Sequence, residues 1–223
     1  MIPKPYTIID ISQPVTKNTA CFPGDTPFDY SFKATYSSNG SYNVTAFTMS
    51  PHIGTHTDAA SHVAKIPKPE NSIGNMELEL FIGPCIVIDL CPYNGEILVR
   101  NILEKLPKEI PPRILLRTRH QSRFDIFEDR YAYLSVETID FLHNNGVRLI
   151  GMDTPSVDAS SSKTLLCHHA LIARNMVWIE NLDLTHAKEG SYFLSALPVK
   201  FVDLEAAPVR AVLLTYPPSR KEG

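Results

Sequence analysis

The sequence predicts a layered α/β fold in one domain, and three observations carry that reading. Strand-length and helix-length patterns alternate through the second half of the chain. In the first half, strand-like runs follow one another without helices, which points to an antiparallel or barrel-like part there. No repeat, low-complexity tract or Pro/Gly/Ser-rich linker interrupts the chain, and its 18 prolines are scattered, so residues 1–223 read as a single domain.

Taken in order, YNVTAFTM (42–49) is rich in β-branched and aromatic residues and reads as a strand running directly into the segment that follows it. IVIDL (86–90) and RILLRT (113–118) are short apolar runs of strand length. SVETIDFLHNNG (135–146) is a helix, with a serine at its N-cap, an acidic first turn and a terminal glycine. VRLIGMD (147–153) is then a buried strand, TLLCHHALIARN (164–175) a helix, MVWIENL (176–182) a strand, and RAVLLTY (210–216) a last strand.

Composition narrows the function. With a net charge of −3 and 43% hydrophobic residues, the chain reads as a globular protein with enough apolar mass for a sizeable core. It has no basic run, so neither nucleic acid nor an anionic membrane is the expected partner, and a small molecule is. MIPKPYTIIDIS lacks the apolar run of a signal peptide, and no window approaches the roughly 20 apolar residues of a membrane span. Cys21, Cys85, Cys91 and Cys167 form no CxxC pair and are too sparse for a disulfide scaffold. A cytoplasmic protein with reduced thiols is expected.

Residues 52–62, HIGTHTDAASH, concentrate three histidines and an aspartate. His52, Gly54, His56, Asp58, Ala60 and His62 share parity, so in an extended chain all the candidate ligands project from one face. A straight strand would hold positions 52 and 56 about 13 Å apart at roughly 3.3 Å per residue. Donors on one zinc ion each lie only about 2.0–2.1 Å from it. The chain must therefore bend, and Gly54 is where the bend is expected. Imidazole nitrogens and a carboxylate suit zinc, with manganese, iron and cobalt also compatible by ligand type. His62 can serve as general base and acid instead of ligand, since imidazole exchanges protons near neutral pH. Metal binding is favoured here over a structural histidine cluster, and a structural metal stays open. His120, His143 and His186 read as surface or hydrogen-bonded core residues. A second group, Cys167, His168, His169 and Glu180, reads by itself as ordinary helix and strand-end positions, and at most one of the adjacent histidines can face a shared ion.

These residues resemble the cyclase family of metal-dependent hydrolases, and within it the bacterial kynurenine formamidases. The likeness spans IIDISQPV, CFPGDTPF, SPHIGTHTDAASH, RLIGMDTPSVD, HHALIARNMVWIENLDL and APVRAVL, with HxGTHxDxxxH as its most specific motif. The resemblance implies a swivelling β/β/α, cyclase-like architecture with a central barrel-like mixed sheet and surrounding helices. It implies that His52, His56, Asp58, His168 and Glu180 bind two zinc ions per subunit, that Asp58 and Glu180 bridge them, and that His62 moves the proton. It further implies a homodimer that hydrolyses N-formyl-L-kynurenine to kynurenine and formate in tryptophan catabolism. The chain departs from the formamidase pattern at Phe22, where tryptophan is usual and where an aryl substrate would stack. It departs also at Ala60 and Ser61, in place of proline and an aromatic residue, and at Ile53, in place of threonine. Those departures keep open another cyclase-family substrate, such as an isatin-like cyclic amide. A noncatalytic binding protein on the same fold is the reading from a different class.

Overall fold

A computed structural model of the protein describes residues 6–215. Strand β1 (Thr7–Asp10) is followed by β2 (Asp29–Ala34) and β3 (Val44–Thr48), with the one-turn helix α1 (Tyr36–Asn39) between them. Next come β4 (His56–Asp58), β5 (Ile82–Asp89), β6 (Gly95–Ile97), the one-turn α2 (Val99–Ile102), β7 (Arg113–Arg117) and β8 (Ala132–Leu134). Then strand and helix alternate: α3 (Val136–Asn144), β9 (Leu149–Met152), α4 (Leu166–Ala173) and β10 (Val177–Glu180). The last strands are β11 (Gly190–Ser195), β12 (Ala206–Pro208) and β13 (Val212–Thr215).

Nine of these strands form one mixed sheet in the order β1-β13-β11-β5-β7-β9-β10-β4-β12. Its centre, β5 to β10, is parallel, and both flanks are antiparallel. The central strands are buried on both faces, and their side chains sort by parity. Ile86, Ile88, Ile114, Leu116, Ile150, Met152 and Trp178 pack with Ile139 and Leu142 of α3 and Leu171 of α4. The alternate set, Val87, Leu115, Leu149, Val177 and Ile179, packs with Ile11, Leu182, Leu194 and Leu213 on the concave side. The sheet curls enough for the residues after β1 to meet those after β10: Ser12 bridges Leu182, and Asp183 N donates to Ile11 O at 2.8 Å. Gly151 lies on the same side, where a Cβ would stand 2.4 Å from Leu115 Cδ2 and 2.7 Å from Leu182 Cδ1, so those two leucine side chains would have to shift to admit one.

The mixed α/β class and the barrel-like sheet agree with the sequence reading. Helix α3 begins as anticipated, with Ser135 Oγ accepting a hydrogen bond from Thr138 N at 3.0 Å. The continuation of strand 42–49 into the histidine segment does not occur. β3 pairs only with β2, in a separate two-stranded ribbon with Tyr30 opposite Phe47. A turn then carries the chain back to β4 inside the main sheet. β3 finds its hydrogen-bond partner locally, so its β propensity says nothing about which sheet it joins. β13 ends the description at Thr215; residue 216 of the expected strand 210–216, and residues 1–5 of the amino-terminal segment, lie outside the described residues. No helix among the described residues is long and apolar enough to cross a membrane.

Candidate metal centre

The turn before β4 is built around Gly54, whose φ of +67° lies in the left-handed region. A Cβ there would come within 2.8 Å of Val15 Cγ2, so glycine also lets the amino-terminal segment pass close by. The anticipated bend is therefore present, and it folds His52 back over β4. Thr55 Oγ1 donates to Asn181 O at 2.5 Å and accepts from Gln13 N at 2.8 Å, which ties the turn to the end of β10.

β4 lies between β10 and β12, with His56 opposite Glu180 and Asp58 opposite Ala206. Directly opposed residues share a sheet face, so His56, Asp58 and Glu180 all point the same way. That face also carries Trp178, whose Nε1 donates to Asp58 Oδ2 at 3.3 Å. The parity argument stops at Asp58. Beyond it the chain turns into a short 3₁₀ segment, Ala60–Val63, which carries His62 in from the side instead of along a strand. His168 enters from the first turn of α4, buried at 2% exposure, while its neighbour His169 faces solvent.

The donors converge. His56 Nδ1 lies 2.9 Å from Gly54 O, which leaves Nε2 directed at the carboxylates, 3.3 Å from Glu180 Oε2 and 3.5 Å from Asp58 Oδ1. His168 Nε2 lies 3.7 Å from Asp58 Oδ2 and 3.6 Å from Glu180 Oε1. His52 Nδ1 is 3.0 Å from Asp58 Oδ1, an electrostatic approach and not a directed hydrogen bond, because that oxygen has no hydrogen-bond partner. The His62 ring lies 4.5 Å from that of His52 and 5.5 Å from that of His168. Two donor groups result, His52/His56/Asp58 and Asp58/His62/His168, each with its ligand atoms within 4.8 Å of one another, and they share Asp58.

This arrangement fits a metal ion. His56 Nε2 and Asp58 Oδ1 are buried without hydrogen-bond partners, an arrangement that costs about 1–3 kcal/mol per group unless something satisfies them. Donors at about 2.0–2.1 Å on a tetrahedral ion stand roughly 3.4 Å apart, close to the separations observed. Electrostatics agree. Burial disfavours charge on both His52 and His168, yet the carboxylates facing them overcome it. Asp58, Glu180 and Glu205 push His52 to about 9, and Asp158, Asp58 and Glu180 push His168 to about 10. Asp58 is held well below the carboxylate range despite its burial, because three imidazoles surround it. His62 moves the other way: burial pulls it below the ordinary imidazole value, so it is neutral at pH 7.

A cavity of about 680 Å³ opens over this cluster. Phe22 lies on its wall, with its ring edge-to-face against Phe127 at 5.0 Å. Arg119, Arg123 and Lys163 add positive charge to the wall. The loop bearing the two arginines is fixed at its start by buried Asp153, which accepts from Thr118 N, Thr118 Oγ1 and Arg119 N at 2.8, 2.6 and 3.0 Å. Three groups near the metal cluster were not singled out from the sequence. Trp178 contacts Asp58, Asp158 contacts His168, and Glu205 Oε1 stands 3.4 Å from His52 Nε2. A carboxylate ten positions before His168 was the one signal for Asp158, and no signal existed for Glu205.

The model of the Cyclase family, described as "Putative cyclase", matches residues 9–159. The chain is similar to the kynurenine formamidase of Bordetella pertussis, 42% identical over 207 residues that cover 92% of this chain and 96% of that protein. It is 39% identical to the kynurenine formamidase of Bacillus anthracis over 205 residues, with the same coverage of 92% and 96%. Among solved structures, isatin hydrolase A from Ralstonia solanacearum superposes with a TM-score of 0.78 at 22% identity, over 94% of this chain and 92% of that one, which speaks for the fold. The family match takes in the whole HxGTHxDxxxH segment, and likeness at two-fifths identity runs almost the full length: the chain belongs to the Cyclase family.

Proposed function

We propose that the protein is a metal-dependent amide hydrolase that cleaves N-formyl-L-kynurenine to L-kynurenine and formate. The observation that carries this reading is the convergence of the His52, His56, Asp58, His168 and Glu180 side chains, with His62 beside them, on one cavity. Two zinc ions per subunit suit the nitrogen and oxygen donors and the sharing of Asp58 between both groups, and manganese suits the same donors less well. When bound, the ion activates water as a nucleophile at neutral pH and polarises the formyl carbonyl.

The side chains supply the rest. His62 takes a proton at the ring nitrogen nearest Asp58 and His168, and returns it to the aniline nitrogen as the C–N bond breaks. Phe22 and Phe127 present an aromatic wall for the aryl ring, and Arg119 and Arg123 offer positive charge to the carboxylate of the amino-acid tail. Relatives named kynurenine formamidase at about two-fifths identity support the same substrate. Residues 1–223 act as one domain in this reading. A homodimer is supported by the β2–β3 ribbon and the α1 turn that joins its strands, where Phe32, Tyr36 and Phe47 are all more than half exposed. A cytoplasmic setting is supported by four cysteines that are all free.

The test is turnover of N-formylkynurenine by zinc-reconstituted protein, followed by absorbance, with isatin assayed in parallel. His62→Ala should lose about 10²- to 10⁴-fold in kcat and keep its zinc. Zinc-loaded protein inert towards the formamide yet active on isatin would shift the reading to a cyclic-amide hydrolase, for which the changed residues Phe22, Ala60 and Ser61 are the structural reason. Indifference to His62→Ala would make it a binding protein.

A further inference from the structure

Asp158 lies in the loop after β9, buried at 4% exposure, and does two things at once. Its Oδ1 accepts from Cys167 N at 3.0 Å and its Oδ2 from His168 N at 3.1 Å, so it satisfies orphan amides in the first turn of α4. The same Oδ2 stands 2.6 Å from His168 Nδ1, the shortest approach to any imidazole in the cluster. A carboxylate in that position accepts, so Nδ1 keeps its proton and Nε2 is the nitrogen left to give its proton up to a metal. Nε2 is the atom that faces Asp58 and Glu180.

We propose that Asp158 is a positioning residue that holds His168 in the Nδ1–H tautomer and locks its ring, so that Nε2 is the metal-binding atom. The proposal rests on the metal-centre reading above. Helix capping alone would not need the contact to Nδ1: each carboxylate oxygen already accepts one backbone amide, and a cap makes no demand on the imidazole. In Asp158→Asn the amide satisfies at most two of the three donors, and in neither orientation does a negative charge stand behind Nδ1. Partners of this kind fix ring orientation and raise ligand basicity, and their loss costs about 10- to 100-fold in metal affinity. His56 makes the equivalent contact to a backbone carbonyl, Gly54 O, so the two buried imidazoles are oriented by different means and only the one held by Asp158 can be tested by a side-chain replacement.

The test uses the full chain with zinc alone. Nitrogen-15 NMR of the zinc-loaded wild type should show His168 protonated at Nδ1 and metal-bound at Nε2; zinc on Nδ1 would overturn the proposal without any variant. Zinc affinity is then measured by competition with a chromophoric chelator, alongside the melting temperature of the metal-free protein. Asp158→Asn should weaken zinc binding by 10-fold or more, and it should also lower the metal-free melting temperature, since a buried donor loses its acceptor and His168 its carboxylate; the zinc affinity is the readout that decides. A fall in melting temperature with zinc affinity intact would reduce Asp158 to a helix cap and overturn the proposal. Wild type that binds no zinc would overturn the metal-centre reading as well, which separates the two failures.

Discussion

Strands β3 and β4 are neighbours in sequence and opposites in every other respect. β3, VTAFT, is made of good strand formers, and every one of its residues is exposed. β4, HTD, is entirely polar, and every one of its residues is buried. Hydropathy alone would have placed them the other way round. The difference teaches that burial does not follow hydropathy: β4 is buried with His56 Nε2 and Asp58 Oδ1 lacking a protein partner, an arrangement suited to an ion, whereas β3 leaves Phe47 facing solvent. In the function proposed above, each is half of an interaction, one with a cation and one with a second subunit.

The largest effect is expected from breaking the buried half. Asp58→Asn replaces the carboxylate common to both donor groups with a neutral amide, so zinc stoichiometry should fall and turnover should drop on the order of 10³-fold, read by metal analysis and rate together. Unchanged stoichiometry would argue against a shared ligand. Breaking the exposed half should leave the chemistry alone. On the proposed dimer, Phe47→Asp places a charge in the ribbon of both subunits, and losing about 3 kcal/mol of apolar burial across a symmetric interface should weaken dimerisation ~100-fold, measured by light scattering on dilution. A dimer that persists at the same concentrations would put the subunit interface elsewhere.

A third prediction sharpens the electrostatic side of β4. In metal-free protein His52 and His168 have pKa values of about 9 and 10, above the 6.5 of the unfolded chain. A raised histidine pKa contributes stability that is complete below about 6.5 and is lost as pH climbs through the folded values. The metal-free protein should therefore lose melting temperature between pH 7 and pH 10, by about 2–4 °C for each kcal/mol withdrawn. Zinc-loaded protein, whose histidines are already deprotonated, should show a flatter profile over that range. The smallest effect is at the cavity wall: Phe22→Trp should shift KM by about 2- to 10-fold with zinc content fixed, in keeping with one aromatic pair.

The sequence was most legible where chemistry is concentrated. His52, His56 and Asp58 announced themselves by residue type and spacing, and distance alone demanded the bend that Gly54 makes. The alternation from α3 to β10 was readable because its central strands are buried on both faces and so uniformly apolar. β4 was harder, since three polar residues carry no strand signal and their pairing is dictated by β10 and β12. His62 escaped the parity argument because the chain changes conformation between Asp58 and Ala60. Glu205 was not readable at all: it reaches His52 only because β12 aligns Ala206 with Asp58, a register set by the whole sheet.

That register reaches beyond geometry into the order in which the molecule is made. Asp58 and Trp178 touch although they stand 120 positions apart, and His56 meets Glu180 across the same strand pair. Closing so long a loop carries an entropic cost that only the finished sheet offsets. A chain emerging during synthesis therefore displays the HIGTHTDAASH histidines well before it holds the other donors, and the complete set appears only when β10 has slotted in beside β4. On the proposed metal-centre reading, the site can take up its ions only after that pairing has closed.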